Sequence, residues 1–535
     1  MADGDRRESS KRKTTKSGMD LSDAFKIFCR IKEKDEVSLK ALFDEFAKEG
    51  IHLCDDPRFL DVFDVLKTVP GKCMGDMRLD YNVFERILES DELLVRALLK
   101  NLVIPHFQEF CKVLELLFQV YFLDTEGSPA RHSKDYCSMS SDDVWGLALF
   151  SSDGQKFLIG DTGKFFTLQA CVRPFLYGLI LDIVGFDVVH SFCGLEPVPY
   201  NFMEAMLNDV GKPYNPMNIG GALVCCAIWQ TLAFPNLTRA EKFEKFICLL
   251  AAFTGGELLN CDNVAVIDEK EKSHTVWGVV HNLRLNKCLP PDTDMVATLE
   301  FYFQISCLNV NSEILALMSS TLANDGFNPK TRTMAVKSES ARHTLSSLRS
   351  CGVYNTDQDF CFDISLPAKF SKSGAAILLV PGFFGLGMYS PFMTEYCKSR
   401  RGIKFANIFS RIYHFNPFDH KVASNKLPPP EGHCSINCAL FNAVEKGEIE
   451  TVARMVASGS TLGARDYMKR TALHIAASEG HLNICQFIMT NCPNVLELKD
   501  NMDQTALDDA IFFKQDAVAA FLSQWICVKR GKKSS

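Results

Sequence analysis

Cys171 stands two residues before Arg173 in the segment Gly160-Asp-Thr-Gly-Lys-Phe-Phe-Thr-Leu-Gln-Ala-Cys-Val-Arg-Pro174. A thiolate beside a guanidinium at the start of a helix is a candidate nucleophile, because both the cation and the helix N-terminus favour the deprotonated sulfur. Ser151 and Ser152 precede Asp153-Gly154 without a His or Lys at a diagnostic spacing, so they read as turn residues. The 21 cysteines are an odd number, with no CxxC pair and no CxxC/HxxxH spacing. They read as free thiols in a reducing compartment, and neither a metal site nor a cofactor is expected.

The elements that must hold such residues follow from periodicity. Leu21, Ala24, Phe25 and Phe28, then Leu39, Leu42, Phe43 and Phe46, recur at helical spacing, the second set closed by Gly50. Pro57 with Phe59, Val62, Phe63 and Leu66 gives a third helix and Val83 to Leu88 a fourth. Helix pairs of this size suggest an EF-hand-like module over residues 20–124, without the oxygen-rich loop that calcium needs. After a Ser, Asp, Gly and Pro-rich loop at 125–143, β-like runs such as Trp145 to Phe150 alternate with helical ones such as Ala240 to Ala252. That alternation predicts an α/β (α+β) domain over 144–415. A linker at Lys426 to Gly432 precedes residues 434–527, where Thr471-Ala-Leu-His474 recurs as Thr505-Ala-Leu-Asp508 and Asp466 as Asp500. Ala443 and Gly447 precede Ala476 and Gly480 by a similar period, which is the ankyrin signature of stacked helix pairs. His474 is expected to bond backbone there and not to ligate.

At 535 residues, 47% apolar and 23% charged, the chain is neither disordered nor collagen-like. Its net charge of −7 gives no pull toward nucleic acid. Residues 1–18 carry six Lys/Arg against three Asp/Glu, and four more Lys/Arg follow Val528. Residues 1–19 and 528–535 therefore read as basic, solvated tails, the first of them disordered. Ala375 to Met388 is the longest apolar stretch, too short and too interrupted by Pro381 and glycines to span a membrane. Asp3, Asp5 and Glu8 are unusual in a mitochondrial transit peptide, so an intracellular site, cytoplasmic or mitochondrial, stays open.

The chain resembles the glutaminase family, whose middle domain has the fold of serine β-lactamases and penicillin-binding proteins. Asp153-Gly-Gln155, Gly160-Asp-Thr162, Leu168-Gln169, Asn215-Pro-Met217, Thr293-Asp294-Met295, Phe301-Tyr-Phe-Gln304, Thr321-Leu-Ala-Asn324, Ser350-Cys-Gly352, Leu366-Pro-Ala-Lys369 and Ile377-Leu-Leu-Val380 stand in family order. The all-α N-terminal domain and the C-terminal ankyrin repeats match the animal glutaminase layout. The resemblance implies hydrolysis of L-glutamine to L-glutamate and ammonia through S-x-x-K, where spacing i, i+3 puts both side chains on one helix face. A desolvated Lys helps activate the Ser, an acyl-enzyme forms and water releases the acid.

Here the two matching positions are Ala170, which has no nucleophile, and Arg173, whose guanidinium stays protonated at neutral pH. Cys171 points about 100° away from Ala170 on a helix, toward the core. The resemblance implies that Glu269 pairs with the substrate amine, while Ile219 and Val276 replace two substrate-holding Asn residues; Asn218 reaches the site only if the turn differs. Tyr302 and Tyr354 match family tyrosines, one at the substrate and one near the nucleophile. The third tyrosine is Tyr136 or, without a gap, Ser133. The Lys-Ser-Gly element is read as Lys369-Phe370-Ser371 or as Lys372-Ser373-Gly374, and Arg173 is open to a new role on an anion. The expectation is a catalytically impaired family member with weak L-glutamine binding. It would act through a homo-oligomer, a hetero-oligomer with an active glutaminase, or a protein partner on the ankyrin repeats, with no membrane or nucleic acid. Two alternatives stand beside it: an active amidohydrolase using other groups, and an ankyrin adaptor on an inert scaffold.

Overall fold

The computed structural model describes residues 37–67, 77–129, 144–199, 203–353, 360–415 and 440–531, apart from single positions and short runs within them. The expected helix at Leu21 to Phe28, the linker at 426–432, Ser133, Tyr136 and Tyr354 lie outside the described residues.

Helix α1 (Leu39–Lys48) buries Leu39, Leu42 and Phe46 on one stripe and ends before Gly50. The third expected helix divides into a 3-10 turn, Pro57–Phe59, and α2 (Leu60–Lys67). Helix α3 (Tyr81–Ser90) starts at Asp80, whose carboxylate accepts from Val83 N at 2.8 Å, a cap worth about 1 kcal/mol. Helices α4 (Glu92–Leu98) and α5 (Phe107–Phe122) complete the block.

Two strands follow, β1 (Gly146–Ser151) and β2 (Lys156–Gly160), and then the helices α6 (Arg173–Val184), α7 (Ile219–Ile228), α8 (Asn263–Glu271), α9 (His274–Leu285), α10 (Met295–Ser306) and α11 (Ser312–Ala323). The helix expected at Ala240 to Ala252 forms as Arg239–Thr254, opened by a Thr238/Glu241 capping box. Strands β3 (Ala368–Phe370), β4 (Ala375–Val380) and β5 (Phe384–Tyr389) join the first two in an antiparallel sheet of order β2-β1-β5-β4-β3, before α12 (Arg400–Tyr413).

Both faces of this sheet are covered, which is why its inner strands read as continuous apolar runs. The apolar stretch Ala375 to Met388 is the β4–β5 hairpin. No single helix among the described residues is long and apolar enough to cross a membrane. On one face α11, buried at every position but Glu313, lies so close that a Cβ on Gly385 would meet Ser320 N at 2.2 Å. On the other, Phe110 of α5 and Phe409 and Tyr413 of α12 gather around Phe384 with ring centroids 5.2–6.2 Å apart.

The helical block and the sheet domain pack as one compact unit, residues 1–417. Asp153-Gly-Gln155 is the joint. Asp153 takes Arg96 through both oxygens at 3.1 Å and Val103 N at 2.6 Å, and its carbonyl takes Arg58 at 2.7 Å. Buried Gln155 accepts from Ile104 N and donates to Ile104 O and Glu49 O, each at 3.0 Å. Gly154 (φ 84°) lies where a Cβ would meet the Arg58 guanidinium at 2.5 Å, so only glycine fits this turn.

In the second unit, residues 418–535, the described helices Ala472–Ser478, Leu482–Asn491, Ala506–Phe512 and Asp516–Gly531 stack around one core. Thr471 and Thr505, 34 positions apart, are both helix caps. His474, fully buried, bonds Thr471 through Nδ1 and the Gln504 carbonyl through Nε2, which fits its structural reading.

Candidate active site

The site segment leaves β2, passes a 3-10 turn at Gln169–Val172 and enters α6 at Arg173. Gln169 takes a left-handed backbone, φ 49°, which turns its amide toward α8. Ala170 is partly exposed in the turn, and Arg173, the first residue of α6, is buried. The Arg173 guanidinium donates to Met217 O at 2.8 Å and to the Tyr302 hydroxyl at 3.1 Å. Its charge is thus engaged by the Met217 carbonyl and by a phenol of α10.

Met217 is presented by the Asn215-Pro-Met217 turn, in which the Asn215 side chain accepts from Met217 N and Asn218 N at 3.0 and 3.1 Å. Asn218 does not reach the site. Its side-chain Oδ1 caps α7 by accepting from Gly221 N at 2.8 Å, and Ile219 follows as a buried first residue of that helix. Val276, on α9, packs half-buried against the main core.

Glu269 lies near the C-terminal end of α8, buried. Its carboxylate accepts from the Gln169 amide at 3.1 Å and from the Lys372 ammonium at 2.6 and 2.8 Å. The two readings of the Lys-Ser-Gly element therefore separate in space. Lys369 sits on strand β3, buried, donating to Gly352 O at 2.8 Å. Lys372-Ser373-Gly374 form the turn into β4, with Ser373 sharing a hydroxyl bond with Ser371 and donating to Thr167 O. Burial first, and the Arg173 charge second, hold the Lys369 amine well below the ordinary lysine range.

The core orientation expected of Cys171 is what the fold contains. Cys171 is fully buried, its thiol 3.6 Å from the carbonyls of Lys369 and Ala375, and burial pushes it up to about 12. A thiol in that state is no nucleophile at neutral pH. Iodoacetamide at pH 8 is expected to label exposed Cys54 and Cys248 in the native protein and to reach Cys171 only after denaturation, a difference that peptide mass spectrometry reads directly. Native labelling of Cys171 would contradict it. Ser151, the last residue of β1 and not of the turn, accepts from Gln155 N through its hydroxyl, and Ser152 in the turn bonds Gly382 O. Among the described residues no three His, Cys, Asp or Glu side chains converge as metal ligands.

The arrangement thus brings Arg173 to Tyr302 and Gln169 to Glu269, whereas Ile219 and Val276 belong to apolar packing. Sequence reasoning missed the Lys372 partner of Glu269, 103 residues away, because no spacing rule links a turn lysine to a helix so distant.

Comparison with known proteins bears on the whole chain. The glutaminase family model matches residues 136–418, ankyrin repeats in three copies match 440–529, and an EF-hand domain matches 22–105. The mitochondrial liver isoform of glutaminase from Mus musculus is 32% identical over 476 residues, 88% of this chain and 78% of that one. The putative glutaminase 2 of Caenorhabditis elegans is 30% identical over 516 residues, 94% of this chain and 84% of that one. The crystal structure of Mglu in its native form aligns with a TM-score of 0.53 at 25% identity, covering 59% of this chain and 74% of that chain. The mixed architecture is that of the β-lactamase-like glutaminase domain, with an EF-hand region before it and ankyrin repeats after it. With its family model covering more than half of the chain and relatives aligned along most of its length, this protein belongs to the glutaminase family.

Proposed function

We propose that this chain keeps the glutaminase fold for assembly or regulation and does not hydrolyse L-glutamine at an enzymatic rate. One observation carries the reading. At the two positions matching S-x-x-K stand a methyl group, Ala170, and a buried guanidinium already bonded to Met217 O and Tyr302. Neither supplies a nucleophile or a base. Removing a catalytic Ser alone costs on the order of a million-fold in a serine protease. The thiol of Cys171 is buried and pushed up, and the hydroxyls of Ser151 and Ser152 are engaged by Gln155 N and Gly382 O, so none of these three replaces the missing nucleophile.

The substrate shell supports the same reading. Ile219 and Val276 offer no hydrogen bonds to an amino acid, at roughly 1–3 kcal/mol for each one lost. L-Glutamine binding is weak on this account. The functional surface is then the ankyrin unit, a fold that serves protein interaction. Its last helix pair exposes Ile511, Phe512 and Phe513. The reading includes a homo-oligomer or a hetero-oligomer with an active glutaminase, and the mitochondrial designation of the mouse relative favours that compartment over the cytoplasm.

The test is release of ammonia and glutamate from L-glutamine by purified full-length protein beside a heat-killed blank. The expected rate equals the blank. Turnover above it that survives Cys171→Ala overturns the proposal.

A further inference from the structure

The Glu269 side chain is only 11% exposed, while the side chain of its partner Lys372 is 44% exposed. The lysine therefore comes to the carboxylate from the solvent side, and Gln169 holds the same carboxylate from the protein side at 3.1 Å. The base of the lysine is fixed, since the Ser371–Ser373 hydroxyl bond and Ser373 on Thr167 O pin the turn. Beyond that base the side chain has four rotatable bonds and is 44% exposed.

We propose that Lys372 is a built-in occupant of an amine subsite: its ammonium takes, on Glu269, the place of the primary amine of a bound amino compound, which enters only by displacing it. This inference rests on the reading of Glu269 as the amine-binding carboxylate. The two ammonium groups are chemically alike, each bringing three N–H donors to one carboxylate, so the exchange is decided by concentration. A group tethered by a short flexible stem competes at an effective concentration in the millimolar range or above. A free amine is weakened by the fraction of time that the lysine leaves the carboxylate open. The device makes the site self-satisfied: the buried carboxylate holds a cation of the chain itself, and a dissolved amino acid meets a position that is filled most of the time.

The experiment is calorimetric titration of the full chain with L-glutamine and with its amine-free analogue 4-carbamoylbutanoate, for the wild type, Lys372→Ala and Lys372→Ser. Two replacements are used so that one poorly folding variant does not decide the matter, and each is checked by its thermal melt. The variants are expected to bind L-glutamine at least about tenfold more tightly than the wild type, with the analogue unchanged, and Glu269→Gln in the Lys372→Ala background is expected to remove the gain. Folded variants that bind L-glutamine no better, or that gain equally for both ligands, overturn the inference. Ammonia release by the wild type would instead overturn the proposed function, so the two fail separately.

Discussion

Replacing Asp153 with alanine is expected to cost about 2–4 kcal/mol and to free the N-terminal helices from the sheet. The carboxylate takes a bidentate Arg96 at 3.1 Å for both bonds and the Val103 amide at 2.6 Å. Truncation leaves Arg96, 31% exposed, with water as its remaining recourse, which keeps the loss below that of a fully buried pair. Val103 is buried and its amide has no such recourse, so most of the cost falls there. Asp153→Asn keeps an acceptor for that amide and is expected to lose less than half as much. The check is a thermal melt combined with limited trypsin digestion. The alanine variant should melt several degrees lower and release a fragment cut between the helical block and β1. An unchanged melt and digestion pattern would mean that the three bonds of Gln155 to Glu49 and Ile104 and the packing of Phe110 hold the joint without Asp153.

The joint explains a difference between what the sequence suggests and how the chain packs. A loop rich in Ser, Asp, Gly and Pro reads as a boundary, and composition there does change. Yet contacts cross it, among them those from the side chains of Asp153 and Gln155, about fifty to a hundred residues from their partners, and the packing of Phe110 on Phe384. Local composition reports where a chain turns, not which surfaces it later closes. Amphipathic helices were legible because a stripe such as Leu39, Leu42 and Phe46 repeats at the helical period. Helices α6 and α7 carry no such stripe. They are apolar around nearly their whole circumference because they run through the core, and periodicity has nothing to detect.

The site was legible unevenly for the same reason. Ala170 and Arg173 are three residues apart on one segment, so the residue types alone announce a missing nucleophile and a misplaced guanidinium. Asn218 was ambiguous until its cap on Gly221 N was seen, since Ser, Thr, Asp and Asn before a helix serve equally as caps and as ligands. Glu269, Gln169 and Lys372 come from three elements spread over two hundred residues, and only the fold makes them one cluster.

Lys369→Met is expected to stabilise the protein near neutral pH and to remove a pH dependence that the wild type shows. Burial, reinforced by Arg173, holds the Lys369 amine far below its ordinary range. Between its lowered value in the fold and about pH 10.4 the unfolded lysine carries a proton that the folded one does not. Unfolding then takes up a proton, so stability rises with pH between the folded and unfolded values and is lost as pH falls, by up to about 1.4 kcal/mol per unit. Buried thiols work the other way. Cys193, Cys226 and Cys307 are all pushed up by burial, so above about pH 8.5 the unfolded chain loses protons that the fold keeps, and stability falls. Those thiols are common to both proteins, and the difference between the two stability curves isolates the lysine. Methionine fills nearly the same volume but gives up the donor to Gly352 O, a loss of about 1 kcal/mol. The variant should therefore be the more stable protein at pH 7, lose its advantage as pH rises, and fall below the wild type once the solution itself favours the neutral amine. Urea midpoints at pH 7, 8 and 9 measure this, and parallel curves for the two proteins would show that Lys369 keeps its proton in the fold.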